Sequence, residues 1–315
     1  MKKIRTAWAL VKKSQWQEFG NLIVVNFRKW RIQNRQGAAF SYRLGGRRFV
    51  CAPGLVDSED LYLHRKIDRT EIRILEAWLM PRDVAMDIGA NMGLYSFAAA
   101  DQVGPGGLVV AIEAAPRLVE KLKVARSLLH ANCLQIENIA VGERNGKASF
   151  AVSAPDRHSD QQALCSGQAP APIGTQIVEV DMERLDAVAQ SHPRLENPDL
   201  IKMDIEGAEV MALKGCPDRW FELNGPLWIL EINPAALKPF GAKPEEITER
   251  FSPESHERWL LPKYTMEGRD EGAPRRLSES EEYLDAKFYN LIAVPRGVAR
   301  KDAARKVIKI LERVK

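Results

Sequence analysis

Thirteen residues, Val84-Ala85-Met86-Asp87-Ile88-Gly89-Ala90-Asn91-Met92-Gly93-Leu94-Tyr95-Ser96, constrain this chain more than any other stretch. They read as a short buried strand ending in a carboxylate, a turn bearing two glycines, and the start of the Ala-rich helix that runs through Phe97 to Ala100. The glycines let the backbone turn sharply and let a ligand approach it without meeting a side chain. The turn opens on a helix N-terminus, a natural place to hold a nucleotide-like cofactor. A strand-turn-helix corner with no ligand is the plain alternative.

The spacing narrows the cofactor. A dinucleotide fingerprint, G-x-G-x-x-G, has a glycine where Asn91 stands, and Gly93 comes early, so pyrophosphate binding is disfavoured. No Gly-Lys-Ser/Thr follows, which excludes a P-loop. A nucleoside cofactor without phosphates remains, and S-adenosylmethionine answers that description. The segment resembles motif I of the class I S-adenosylmethionine-dependent methyltransferases. In the form Asp-x-Gly-Ala-Asn-x-Gly-x-Tyr-Ser it is similar to the FkbM-type family. The resemblance implies a Rossmann-like, doubly wound α/β fold with a mostly parallel seven-stranded sheet. It also implies cofactor contacts from Asp87, Gly89, Asn91, Gly93, Tyr95 and Ser96.

Leu108 to Ile112 is a second apolar strand, and with the first it encloses a helix, as a parallel β-α-β unit requires. Glu113 follows at its tip, where a carboxylate can accept hydrogen bonds from both hydroxyls of a ribose. A solvated strand-end glutamate is the other reading. Pro116 to Leu129 is a helix and Leu134 to Ile136 a third strand. The segment Glu137 to Gly142 resembles the family's adenine-side loop, with Asn138 either touching the base edge or capping a turn.

The second informative block is Asp199-Leu200-Ile201-Lys202-Met203-Asp204-Ile205-Glu206-Gly207-Ala208-Glu209. A strand in this register places Lys202, Asp204 and Glu206 on one face. Lys-x-Asp-x-Glu-Gly-x-Glu is similar to the family's second signature. Methyl transfer from a sulfonium is an in-line displacement, so much of the catalysis is alignment, and a hydroxyl acceptor profits from a group that takes its proton. Asp204 is the first candidate for that base, with Glu206 or Glu209 orienting the acceptor and Lys202 fixing the carboxylate or a developing alkoxide. An ion-pair cluster that only positions the loop is the alternative. No ligand spacing supports a metal.

Pro226 to Pro234 reads as a fifth strand, similar to the family, whose Glu231 and Asn233 are expected at the acceptor pocket. Ala148 to Val152 and Gln176 to Val180 alternate like paired strands. Between them, residues 153 to 175 form a polar loop carrying Arg157, His158, Ser159 and Asp160, which reads as a lid or substrate contact, or as disorder. Ser252 to Pro262 lacks the Gly-Tyr turn expected of the family, and Tyr289 to Pro295 returns to pattern as a closing strand.

The chain's ends differ from its middle. Residues 1 to 50 hold twelve Lys/Arg against Glu18 alone, a local charge of +11 in a chain whose total is +4. Interleaved Trp8, Trp16, Phe19, Phe27 and Trp30 suit an amphipathic helix on an anionic membrane or on nucleic acid, or one docked on the main domain. Arg43 to Phe49 reads as a hairpin turning at Gly45-Gly46. Asp68 to Met80 is a helix stopped by Pro81. From Arg296 to Lys315, Ala303, Val307, Ile310, Leu311 and Val314 form one stripe among eight Lys/Arg, a second candidate for membrane contact or for packing on the domain. The expected organisation is a basic extension over 1–67, the catalytic domain over 68–295 and an amphipathic tail over 296–315.

The four cysteines form no C-x-x-C pair and the five histidines no metal spacing, so a cytoplasmic protein without disulfides or zinc is expected. No apolar run reaches membrane-span length and no signal-peptide layout opens the chain, so it should be soluble or at most peripheral at the inner membrane face. The resemblance implies O-methylation of a hydroxyl, commonly of a sugar in a glycan, glycolipid or natural product. The rivals are an RNA or protein methyltransferase and a non-catalytic ligand-binding member of the fold. The absence of an RNA-module motif argues against nucleic acid.

Overall fold

The computed structural model describes residues 16–44, 47–64, 69–153, 163–165, 175–262, 264–265, 268–269, 273–277 and 288–314. The chain divides into two compact units, Met1–Ile67 and Asp68–Lys315.

In the first unit a helix, Trp16–Gln33, precedes the antiparallel strands Phe40–Leu44 and Arg47–Cys51 and a second helix, Val56–His64. Alternation along the first strand turns Phe40 and Tyr42 inward and Ser41 and Arg43 outward. Phe40 and Tyr42 meet Tyr62 edge-on at 5.1 and 4.8 Å between ring centroids. Ser58 Oγ accepts from the Ala52 amide at 2.8 Å, tying the second helix to the hairpin. Arg28 donates to the Leu63 carbonyl at 2.7 Å, and the Arg31 guanidinium lies 4.7 Å over the Phe40 ring. The expected hairpin is present, while its turn at Gly45-Gly46 lies outside the described residues.

The second unit is built on one large sheet. Its strands are β1 (Val84–Ile88), β2 (Leu108–Ile112), β3 (Leu134–Glu137), β4 (Leu200–Met203), β5 (Leu227–Ile232), β6 (His256–Pro262), β7 (Arg275–Arg276) and β8 (Tyr289–Pro295). Their order across the sheet is β7-β6-β8-β5-β4-β1-β2-β3. The five from β3 to β5 are parallel, and β8, β6 and β7 add antiparallel to the β5 side. Every residue of β1, β2, β4 and β5 is buried, as expected of parallel strands covered on both faces. The sheet has eight strands among the described residues where seven were expected, the addition being a two-residue edge.

Between β3 and β4 the chain forms a smaller sheet. Gly146–Ser153 runs antiparallel to Thr175–Glu183, flanked by Ala163–Leu164 and Ala140–Val141. Most of the expected 153–175 loop, His158 included, lies outside the described residues. The final helix, Lys301–Arg313, packs on the helix Arg69–Trp78 and buries Val307 and Leu311. Just before it, Arg300 pairs with Asp83 and Asp199, the residues that precede β1 and β4. Among the described residues no helix is long and apolar enough to cross a membrane.

The winding reverses between β1 and β4. Chain leaving β1 crosses toward β2 and β3, whereas chain leaving β4 crosses toward β5. Open α/β sheets bind ligands in the crevice that such a reversal leaves at the carboxyl ends of the strands.

Candidate active site

The turn after β1 sits in that crevice. The Asp204 amide donates to the Ile88 carbonyl at 3.0 Å, joining the tips of β4 and β1, and the amides of Gly89 and Ala90 both donate to the Ile112 carbonyl at the tip of β2. Gly89 has φ +76°, and a Cβ there would stand 1.8 Å from the Asp204 carbonyl oxygen, so glycine is the residue that permits this approach. Asn91 and Gly93 also have positive φ, and Gly93 opens the helix Leu94–Val103, which has no side-chain N-cap. As a glycine, Gly93 supplies no capping side chain to the first amides of that helix.

Beneath the turn lies a buried polar layer. Asp87, 3 % exposed, accepts from Ser96 Oγ at 2.5 Å through one carboxylate oxygen. Its other oxygen is 3.3 Å from Lys202 Nζ. The same ammonium donates to the Gly89 carbonyl at 2.9 Å, stands 4.0 Å from Asp204 Oδ2 and lies 5.2 Å from the Tyr95 ring centroid. Lys202 thus links both signature segments. Asp87 and Ser96 lie buried in this layer, where they support the turn. Asp204 reaches farther toward solvent, with a quarter of its side chain exposed.

Glu113 closes the adjoining side. Its Oε2 accepts from the Asn91 amide at 2.8 Å and its Oε1 from the Ala115 amide at 2.9 Å. Each oxygen keeps a second lone pair for a further donor. Burial raises the Glu113 carboxyl above its ordinary value, against the pull of those two amides and of Lys202. Asn138 donates its amide hydrogens to the carbonyls of Glu113 and Ala114, both at 3.0 Å, so these hydrogens hold the loop that carries Glu113.

The second signature departs from its expected register. β4 ends at Met203, and Glu206 is exposed in the left-handed region at φ +55°, so it does not share a strand face with Lys202 and Asp204. Gly207 follows at φ +103°, where a Cβ would meet the Ala236 carbonyl oxygen at 2.0 Å. Glu209 is only 1 % exposed and folds back into its own loop, accepting through Oε1 from the amides of Ile205 (2.9 Å) and Gly207 (3.3 Å). It shapes the Asp204–Gly207 turn from inside.

On the β5 side, Asn233 Oδ1 caps the short helix Pro234–Leu237 by accepting from Ala235 and Ala236. Glu231 is 1 % exposed and pairs across the strands with Asn290 of β8, whose side-chain amide donates to Glu71 at 2.6 Å. Sequence reasoning did not single out Glu71 and Asn290. The available signal was a lone amide inside the apolar run Tyr289-Asn290-Leu291-Ile292-Ala293-Val294. A cleft of about 420 Å³ lined by Gly107, Leu108, Cys133, Gln135, His192 and Arg194 lies by the amino ends of β2 and β3, away from all these groups.

A model of the Methyltransferase FkbM domain matches residues 87–259, which include both signature segments. Methyltransferase 1 of Beauveria bassiana (strain ARSEF 2860) is 24 % identical over 152 residues, covering 44 % of this chain and 60 % of that protein. Methyltransferase FkbM from Methylobacillus flagellatus KT gives a TM-score of 0.41 at 16 % identity over 75 % of this chain and 52 % of that one. The O-methyltransferase of Bacillus cereus, solved with SAH, gives 0.39 at 12 % identity over 73 % and 82 %. TomG of Streptomyces achromogenes, an O-methyltransferase solved with SAM, gives 0.39 at 11 % identity over 73 % and 81 %. At such scores these likenesses add nothing to the topology described above.

Proposed function

The chain belongs to the FkbM methyltransferase family, and from that premise we propose that it transfers a methyl group from S-adenosylmethionine to a hydroxyl oxygen, with sugars of glycans, glycolipids or natural products as the acceptor class. The observation that carries the reading is the meeting of the Gly89–Gly93 turn, the Glu113 carboxylate and the Lys202–Asp204 pair at one switch point of the sheet.

The residues present fit the cofactor. Glu113 is held rigidly by two amides yet keeps a lone pair on each oxygen, as two ribose hydroxyls require. The N-terminus of the helix Leu94–Val103 lies at the turn, where its positive end would favour a cofactor carboxylate. When bound, the sulfonium supplies an electrophilic methyl group and leaves as a neutral thioether. Asp204 then takes the acceptor's hydroxyl proton as the new carbon–oxygen bond forms. Lys202, fixed between Asp87 and the Gly89 carbonyl, orients the Asp204 carboxylate and offsets its charge.

The test is calorimetric titration with S-adenosylmethionine and S-adenosylhomocysteine, with NAD as control. Micromolar affinity for both sulfur ligands is expected, lost in Glu113→Ala. Asp204→Asn should keep that affinity and lower turnover of a found acceptor by about 10²–10⁴-fold. A folded protein that binds neither ligand would overturn the reading and leave a non-catalytic fold. The basic first segment favours a second reading, an RNA or protein methyltransferase, which methyl incorporation into RNA or polypeptide but not into carbohydrate would establish.

A further inference from the structure

The helix Trp16–Gln33 is apolar on two sides. One side packs within its own unit, with Leu22, Val25 and Ile32 partly buried and Arg28 bonded to Leu63. On the other side Ile23, Phe27 and Trp30 recur at i, i+4 and i+7 and remain 53, 60 and 57 % exposed, with Val24 beside them at 42 %. Phe27 and Trp30 stack on each other at 5.6 Å between centroids. A contiguous apolar stripe left outward marks a docking surface more often than an accident of sequence.

We propose that this outward face seats the protein on an anionic lipid bilayer. Charge selects the occupant. The first 50 residues carry +11, so a second copy docking through the same face would bring two such segments together. RNA would match the charge, but Phe27 and Trp30 stack on each other, and Ile23 and Val24 beside them add aliphatic surface on which no base can stack. A bilayer interface takes both features at once. Aromatic and aliphatic side chains enter the headgroup–acyl boundary while Lys and Arg stay among anionic headgroups, each basic residue near the surface adding about 1 kcal/mol. The tail is a poorer candidate than its sequence suggests, because Val307 and Leu311 of its stripe are already buried.

The experiment is co-sedimentation of the full chain with vesicles of equal parts phosphatidylcholine and phosphatidylserine, against vesicles of phosphatidylcholine alone. The wild type is expected to sediment with the anionic vesicles only. The double variant Phe27→Ser/Trp30→Ser, both changes at exposed positions, should bind at least about tenfold more weakly. Added salt should weaken the wild type, because the attraction of Lys and Arg to the anionic headgroups is screened. No binding to anionic vesicles at low salt overturns the proposal, as does equal binding by the double variant, which would mean charge alone is at work. A concentration-dependent dimer lost in the double variant would assign the stripe to a second copy, and tighter capture by RNA would assign it to nucleic acid. Cofactor titration of the same samples is independent of every arm.

Discussion

One methyl group at position 89 probes how closely the two strand tips approach. Gly89→Ala combines a left-handed φ with a Cβ 1.8 Å from a backbone oxygen, so it should cost about 3 kcal/mol or more in urea unfolding and abolish cofactor binding. Gly241→Ala, at φ +68° with nothing within 4 Å, should cost only the conformational part, about 1–2 kcal/mol. Equal losses would mean that the tips separate easily. Glu209 makes a second prediction. Burial, opposed by the amides of Ile205 and Gly207, lifts its carboxyl from 4.5 to about 7. The native state therefore holds a proton that the unfolded chain has released, and stability falls as pH rises from 4.5 to 7. His256, pushed by burial from 6.5 down to about 4, acts the other way, and its contribution is lost as pH falls through that window. Glu209→Gln keeps the accepting oxygen and removes the titration. The Tm of this variant should gain on the wild type by a few degrees between pH 5 and pH 8, and a constant difference would show that Glu209 is ionised at no cost. No side-chain pattern shows such inward folding, because Glu206 and Gly207 turn through positive φ and the alternation expected of Lys202, Asp204 and Glu206 stops at Met203.

Elements are held from both edges of the sheet. At the amino edge Arg300 donates to Asp83 through both terminal nitrogens at 2.8 Å, to Asp199 at 2.5 Å and to the Trp78 carbonyl at 3.1 Å. Burial pushes the Asp199 carboxyl up against the pull of the Val84 amide and of Arg300, so removing the guanidinium strands two acids in a poor environment. Arg300→Ala should cost about 3 kcal/mol in chemical unfolding, with Arg300→Lys recovering only part because an ammonium cannot reproduce the fork. Cofactor affinity, set at the opposite edge, should not change. A loss of affinity as large as that of Gly89→Ala would show that the clasp and the site are one unit. β1, β2, β4 and β5 were legible because strands buried on both faces leave nearly unbroken apolar runs, and a glycine turn follows the first. β6 was not. His256-Glu257-Arg258-Trp259-Leu260-Leu261-Pro262 has neither a continuous apolar run nor strict alternation, and its strand character comes from seven residues of pairing with β8. The same limit hid Glu71 and Asn290, which are distant in sequence and meet only because β8 closes beside β5.

For the whole molecule, two compact units mean that one melting temperature should not describe the chain. Adding S-adenosylhomocysteine at about 100 times its Kd should stabilise residues 68–315 by about 2.7 kcal/mol and leave the transition of residues 1–67 where it was. Calorimetry that shows both moving together would mean the units unfold as one. The Arg300 clasp also has a history in time. The ribosome delivers Asp199 a full 101 residues before Arg300, an interval of about 5–20 s at ordinary rates of synthesis. During that interval Asp83 and Asp199 have both been translated and the cation that bridges them has not. The edge of β5 that β8 will cover is open to any passing strand. A chaperone that shields this edge until β8 is translated should raise soluble yield, and an unchanged yield would show that the open edge attracts no partner.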